Sequence, residues 1–497
     1  MPYYMDIHCI MYFQAHALYN SVNVRQPDDE EWHKKVFSTQ MDYWKEHSQM
    51  TYEQHRSLKF QLQSELRSIR EVNNREVAGS EYLVNNLEQT IRQACETDHA
   101  FYDFMKTLSI RCSEDMLKFT RRIIQSSIDI LNDKPSCEFT VVAIGSIARG
   151  EATPYSDLEY LFLVEDNNQE AASYFEQLAI TTYFLIGNLG ETKLTNFDIE
   201  ELNGWFDDRA KSGFKIDGLA KGAGNIPTGR GTEDRNHFIT TPRQLSERYK
   251  RFLDNPCPQQ GLHGDITQLL KYRKKIYQYG SSDLYDDVEN TLEKIPISLS
   301  RQAANVRMLT YDLMKYDFVP STAGLERRGF SINVKKDLYR FPSILLLDLS
   351  VLFNDHSETS WHALESLRNS SHLSPDLYST MQFLLASATY IRLQTYLHHD
   401  SQDDRISVTK VNKMVHEPKT LPDDGSISTR RWFLPSKLFQ KLSALSVPLK
   451  HALCVHVSID STASDIASLL QSYNVFNDGY YARADIYSIS RGGKMCL

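Results

Sequence analysis

Residues 141–164 read VVAIGSIARGEATPYSDLEYLFLV, and the parsing of this stretch decides the fold. Val141–Ile144 and Leu158–Val164 are short apolar runs, β-branched or aromatic, of the kind that forms buried strands. Between them lie a small-residue turn, Gly145-Ser146, then Arg149-Gly150-Glu151 and the turn-forming Thr153-Pro154-Tyr155-Ser156. Asp157 and Glu159 stand at the mouth of the second run. Strand side chains alternate faces, so these two carboxylates point the same way, roughly 6–7 Å apart along the strand. Adjacent carboxylates repel one another. A divalent cation relieves that repulsion, and carboxylate oxygens are what hard Mg²⁺ prefers.

Working outward, the chain has 497 residues, 41% hydrophobic and 24% charged, with a formal net charge of −9. The length suggests about three domains. The acidic balance argues against a dedicated nucleic-acid binder. Seven dispersed cysteines without a CxxC pair fit a reduced, intracellular, cytoplasmic protein. The N-terminal MPYYMDIHCIMYFQ lacks the basic and apolar blocks of a signal peptide. No apolar run reaches the roughly 18 residues of a membrane span.

From about Met41 to Leu131 the pattern is helical, interrupted at Gly79. After the strand–turn–strand stretch, Asn167-Asn168-Gln169-Glu170 starts a helix with Phe175, Leu178 and Ala179 on one side. Tyr183–Ile186 reads as a third strand or as a buried continuation of that helix. Lys211–Gly218 reads as a short strand with Asp217 near its end, followed by the Gly-rich loop 221–231. Beyond Thr241 the chain turns helical again: 245–253, 262–279 carrying Lys271, Lys274 and Lys275, then 284–292, 298–316, 344–353 and 377–397. Residues 416–431 form a polar linker, and 432–471 resume helical periodicity. His398-His399-Asp400 reads as an exposed helix end rather than a metal site.

Asp157, Glu159 and Asp217, on neighbouring strand ends, can together hold two metal ions about 3.5–4 Å apart, an arrangement suited to in-line displacement at phosphorus. Gly145 allows close backbone approach to a phosphate, Ser146 offers a hydroxyl, and Arg149 offers a bidentate guanidinium.

The ordered set GS, ARGE, PYSDLE and apolar strand resembles the signature of nucleotidyltransferases of the DNA polymerase β superfamily. The fuller string GSIARGEATPYSDLEYL is similar to the nucleotidyltransferase domains related to bacterial PII-protein uridylyltransferases, and GFKIDG supplies a third carboxylate in the place that family would put it. The resemblance spans about residues 135–350. Glu159 departs from the commoner Asp, but its longer side chain can still coordinate.

The resemblance implies an α+β protein with a polymerase β-like mixed sheet, flanked by N-terminal and C-terminal helical regions. The expected organisation is a helical region over 1–134, a nucleotidyltransferase domain over 135–240, a helical domain closing the cleft over 241–415, and a C-terminal helical segment over 432–497. It implies transfer of a nucleoside monophosphate from a nucleoside triphosphate to an acceptor hydroxyl, with release of pyrophosphate. Asp157, Glu159 and Asp217 are the expected catalytic and metal residues, with Mg²⁺ or Mn²⁺ as cofactor. Gly145, Ser146, Arg149, Lys271 and Lys274 are the expected nucleotide-binding residues. The acceptor is a protein tyrosine, a nucleic-acid end or a small nucleotide. No membrane is expected as partner, and the helical flanks offer surface to a protein partner. The alternative is a catalytically silent nucleotide-sensing or scaffolding protein on the same fold.

Overall fold

A computed structural model describes residues 34, 38, 50–85, 96–191, 213–216, 239–247, 271–281, 283–294, 299–316, 331–407 and 436–474. The chain divides into two compact units. The first comprises residues 1–76, 108–301 and 400–402; the second comprises 77–107, 302–399 and 403–497.

The first unit is built on a four-stranded sheet. Its strands are β1 (Phe139–Ala143), β2 (Tyr160–Val164), β3 (Ile239–Thr240) and β4 (Lys274–Tyr279), in the order β3-β2-β1-β4. β1 pairs antiparallel with both β2 and β4, while β2 pairs parallel with β3. The sheet is therefore mixed, in an otherwise mostly helical chain. β1 and β2 are buried at every position, the pattern of strands covered on both faces.

Alternation assigns the faces. Phe139, Val141, Ala143, Tyr160, Phe162 and Val164 join one core with the helices α1 (Tyr52–Gly79), α3 (Glu96–Leu131) and α5 (Gln169–Gly187). Val142, Ile144, Leu161 and Leu163 join a second core with Leu284 and Val288 of α6 (Leu284–Glu293). α2 (Glu81–Asn85) and α4 (Gly145–Ala148) are short.

Local chemistry sets these boundaries. α1 ends at Gly79, where the helical pattern breaks. The Asn168 side chain caps α5 by accepting from the Ala171 N–H. Tyr183–Ile186 is the buried continuation of α5, since its side chains go on filling the core below the sheet. The helix expected over 262–279 is corrected: Lys274–Tyr279 is the edge strand β4. Tyr277 and Tyr279 stack on Phe139 at 5.8 and 5.7 Å between ring centroids, and pairing there satisfies the outer backbone edge of β1. Gly280, at φ 94°, ends the strand.

The second unit contains α7 from Gln302 (the helix runs Leu299–Lys315), the antiparallel pair β5 (Ser331–Asn333) and β6 (Arg405–Ser407), and a π-helical turn over Val334–Tyr339. It continues with α8 (Arg340–Leu352), α9 (Ser360–Asn369), α10 (Pro375–His399), α11 (Ser436–His456) and α12 (Ala463–Ser472). α10 is apolar around most of its circumference and correspondingly buried. Its Arg392 lies 4.4 Å from the Tyr339 ring centroid and donates to the Tyr396 hydroxyl, which in turn donates to Asp404. Burial opposes a charge on Arg392, but both tyrosines and Asp404 more than offset it and hold its pKa above the ordinary value. Among the described residues, no helix is long and apolar enough to cross a membrane.

Candidate functional site

Three strand ends meet where β1 runs out. Ala143 pairs with Tyr160, the first residue of β2, and with Lys274, the first residue of β4. Gly145-Ser146 after β1, Asp157 and Glu159 before β2, and Lys274 therefore share one end of the sheet. Ile216 joins them through an isolated parallel bridge to Leu158, and the Leu158 N–H donates to the Lys215 carbonyl at 2.7 Å.

Leu158 belongs to the same core as Tyr160 and Phe162. Asp157 and Glu159, one step out of phase, fall on the other side of the strand. The backbone N–H of Ile144 donates to the Glu159 carbonyl at 2.9 Å, holding the turn against the strand entry. Gly145 has φ 70°, a left-handed conformation that favours glycine. A Cβ there would lie 1.3 Å from Glu159 Oε2. The room that a glycine provides at this turn is thus taken by the Glu159 carboxylate.

The segment between turn and carboxylates is held by its own polar side chains. Thr153 N–H donates to Ser156 Oγ at 2.8 Å, Ser156 N–H returns a bond to the Thr153 carbonyl, and Tyr155 N–H donates to Thr153 Oγ1. Ala152 N–H donates to Ser113 Oγ on α3. This is hydroxyl-driven turn chemistry, and it delivers Asp157 to the strand mouth.

Asp157 is half-buried. Its Oδ2 accepts from Gln402 Nε2 at 3.2 Å, and Oδ1 lies 3.9 Å from Lys215 Nζ. Two residues earlier, Tyr155 donates to Asp400 Oδ1 at 2.9 Å. Burial pushes the Tyr155 hydroxyl pKa up; Arg70 opposes this and Asp400 reinforces it.

The other expected residues fall as follows. Ser146 is half-buried, and its carbonyl accepts from the Glu151 N–H at 2.9 Å. Arg149, expected as a bidentate contact to the triphosphate, is 5% exposed and ion-paired at 3.5 Å with fully buried Glu151. Lys271 lies 5.4 Å from the Tyr272 ring centroid. Lys274 opens a strand rather than riding a helix. Asp217 lies outside the described residues, as does the Gly-rich loop over 221–231. His398 and His399 end α10, and Asp400 beyond them is held by Tyr155.

Glu159, cradled where a Gly145 side chain would stand, and Asp157 beside it form a pair of hard oxygen donors of the type that divalent cations take. Among the described residues no group of three or more His, Cys, Asp or Glu side chains is arranged to hold a metal. The residues that sequence reasoning missed are Arg70, Glu191, Lys215 and Gln402. Arg70, Glu191 and Gln402 come from positions too distant in the chain for a local pattern to mark them, while Lys215 lies within GFKIDG and meets Asp157 only once the strands pair.

No curated protein matches the chain. Residues 87–190 match a family model described as "Putative nucleotidyltransferase DUF294". The matched stretch takes in the Gly145-Ser146 turn, Asp157, Glu159 and α5, and it stops short of Asp217, Lys271 and Lys274. This match covers less than half the chain; it supports a nucleotidyltransferase family for the segment that carries the candidate site.

Proposed function

We propose that the chain is a divalent-metal-dependent nucleotidyltransferase of polymerase β-like architecture, related to the PII-protein uridylyltransferases. The observation that carries this reading is the packing of the Glu159 carboxylate on Gly145 at the sheet end shared with Asp157, Lys274 and the segment ending at Ile216. Such a cluster puts cation-binding oxygens beside a turn suited to phosphate, with Lys274 at the same end of the sheet.

In the reaction, an acceptor hydroxyl oxygen bonds to the α-phosphorus of a nucleoside triphosphate. The bond from that phosphorus to the β-phosphate oxygen breaks, and pyrophosphate leaves with the bonding electrons. A bound Mg²⁺ or Mn²⁺ supplies charge neutralisation on the phosphates and eases loss of the acceptor proton. Asp157 and Glu159 hold the cation. Asp217 completes the set and takes the acceptor proton. Ser146 and the Gly145 backbone hold the triphosphate, and Lys271 and Lys274 balance its charge. Arg149, held by Glu151, supports the turn from behind rather than meeting the phosphates itself. The acceptor is a protein tyrosine or a nucleotide hydroxyl.

The test is incubation of the full chain with each labelled nucleoside triphosphate and Mg²⁺ or Mn²⁺. Transfer or pyrophosphate release by wild type, lost in Asp157→Asn, supports the enzyme. Nucleotide binding without turnover supports a silent sensor on the same fold.

A further inference from the structure

Arg70 sits on α1, some ninety residues before the acidic pair in sequence, yet its one guanidinium ties the Pro154-Tyr155 turn to Glu191. Nη1 and Nη2 donate to the two carboxylate oxygens of Glu191, at 2.5 and 2.7 Å. Nε and Nη2 also donate to the Pro154 carbonyl, at 3.3 and 3.2 Å. The guanidinium lies 4.0 Å from the Tyr155 ring centroid, in cation–π contact. Arg70 is largely buried. Burial opposes its charge, but the hydrogen bond and charge of Glu191 more than compensate and raise its pKa.

Two arms run from this hub to the acidic pair. Through Pro154 and Tyr155 it holds the turn that delivers Asp157. Tyr155 then binds Asp400, and Gln402, two residues on, donates to Asp157 Oδ2. Along the second arm, Glu191 Oε2 accepts from the Phe214 N–H at 2.9 Å, while the Glu191 carbonyl accepts from the Gly213 N–H at 3.0 Å. A Cβ on Gly213 would lie 2.2 Å from Glu191 Oε2, so this approach is possible only at glycine. One residue beyond Phe214, the Lys215 carbonyl receives the Leu158 N–H.

We propose that Arg70 is a positioning residue for nucleotidyl transfer: its guanidinium sets the spacing between the Asp157–Glu159 segment and the Gly213–Ile216 segment. This rests on the reaction proposed above. The fork is the reason for arginine. Lysine keeps the charge but cannot bridge two carboxylate oxygens, bind a carbonyl and stack on a ring together.

The test compares full-length wild type, Arg70→Lys and Glu191→Gln by thermal melting, Mn²⁺ titration without nucleotide, and steady-state transfer. Outer partners of metal-binding groups typically matter by about 10- to 100-fold in metal affinity or activity. Each folded variant is expected to lose Mn²⁺ affinity and kcat by amounts in that range. KM for the nucleoside triphosphate is expected to stay within about twofold, because the phosphate-binding groups are untouched. The double variant should lose little more than either single one, since both cut the same link. Folded variants with wild-type Mn²⁺ affinity and kcat overturn the positioning role while leaving the reaction standing. Failure of both variants to fold makes Arg70 a stability residue and overturns it too. A wild-type chain that neither binds Mn²⁺ nor transfers nucleotide overturns the reaction itself and this role with it.

Discussion

Glu159 Oε2 occupies the place where a side chain on Gly145 would begin, 1.3 Å from the ideal Cβ position. The φ of 70° favours glycine there, and any side chain at 145 would also displace the Glu159 carboxylate. Gly145→Ala should therefore destabilise the fold by at least about 2 kcal/mol, from left-handed strain and displacement of the carboxylate. In a Glu159→Ala background the clash is gone and only strain remains, about 1–2 kcal/mol. Denaturant unfolding of the four chains checks this. A full Gly145→Ala penalty that persists in the Glu159→Ala background would refute the packing described.

Arg149 and Glu151 form a buried ion pair, with side-chain exposures of 6% and 0%. Removing one partner leaves a charge inside the protein. Glu151→Ala is expected to cost about 3–5 kcal/mol, read as a lowered unfolding midpoint. A change near zero would mean that the pair contributes nothing to holding the Gly145–Ser156 turn.

Lys274 begins β4 beside the end of β1. If it balances triphosphate charge, Lys274→Ala removes a charge-assisted contact of about 1.5–3 kcal/mol. That converts to roughly a 10- to 100-fold higher KM for the nucleoside triphosphate. An unaltered KM would take Lys274 out of the nucleotide site.

The second unit carries its own pH dependence. Asp348 is 1% exposed, and neither of its carboxylate oxygens has a hydrogen-bond partner among the described residues. Burial raises its pKa well above the ordinary value, and the charge of Asp312 pushes the same way. Asp312 itself is pushed up to about 6 by burial, with Lys315 and Arg340 pulling it back. In the unfolded chain both aspartates lose their protons near pH 4. From there upward the folded state holds more protons than the unfolded state, so stability falls as pH rises, through about 6 for Asp312, and the raised Asp348 adds a fall of the same sign. Asp348→Asn should flatten that fall, as followed by thermal melts between pH 4 and neutrality; an unchanged slope would place the pH dependence elsewhere.

The two central strands, the helix begun by Asn168 and the interruption at Gly79 were legible because each is written in neighbouring residues. A short unbroken apolar run, a capping side chain and a glycine break are local matters. The edge strand β4 was not. KKIYQY, preceded by a basic run, has a helical look in isolation, and only the unpaired edge of β1 and the Phe139 ring make it a strand. Arg149 illustrates the same limit within the motif itself. Its residue type suits a phosphate, but the chain folds it back onto Glu151.

By itself, the sequence determined that Gly145, Ser146, Asp157 and Glu159 belong to one strand–turn–strand element, because strand alternation and turn preferences act over a few residues. Tertiary structure alone decided what surrounds that element. Lys274 enters by edge pairing, Gln402 and Lys215 reach Asp157, and Arg70 joins the turn to Glu191. Those contacts depend on which surfaces meet once two cores close on opposite faces of one sheet, and no short-range pattern encodes that choice.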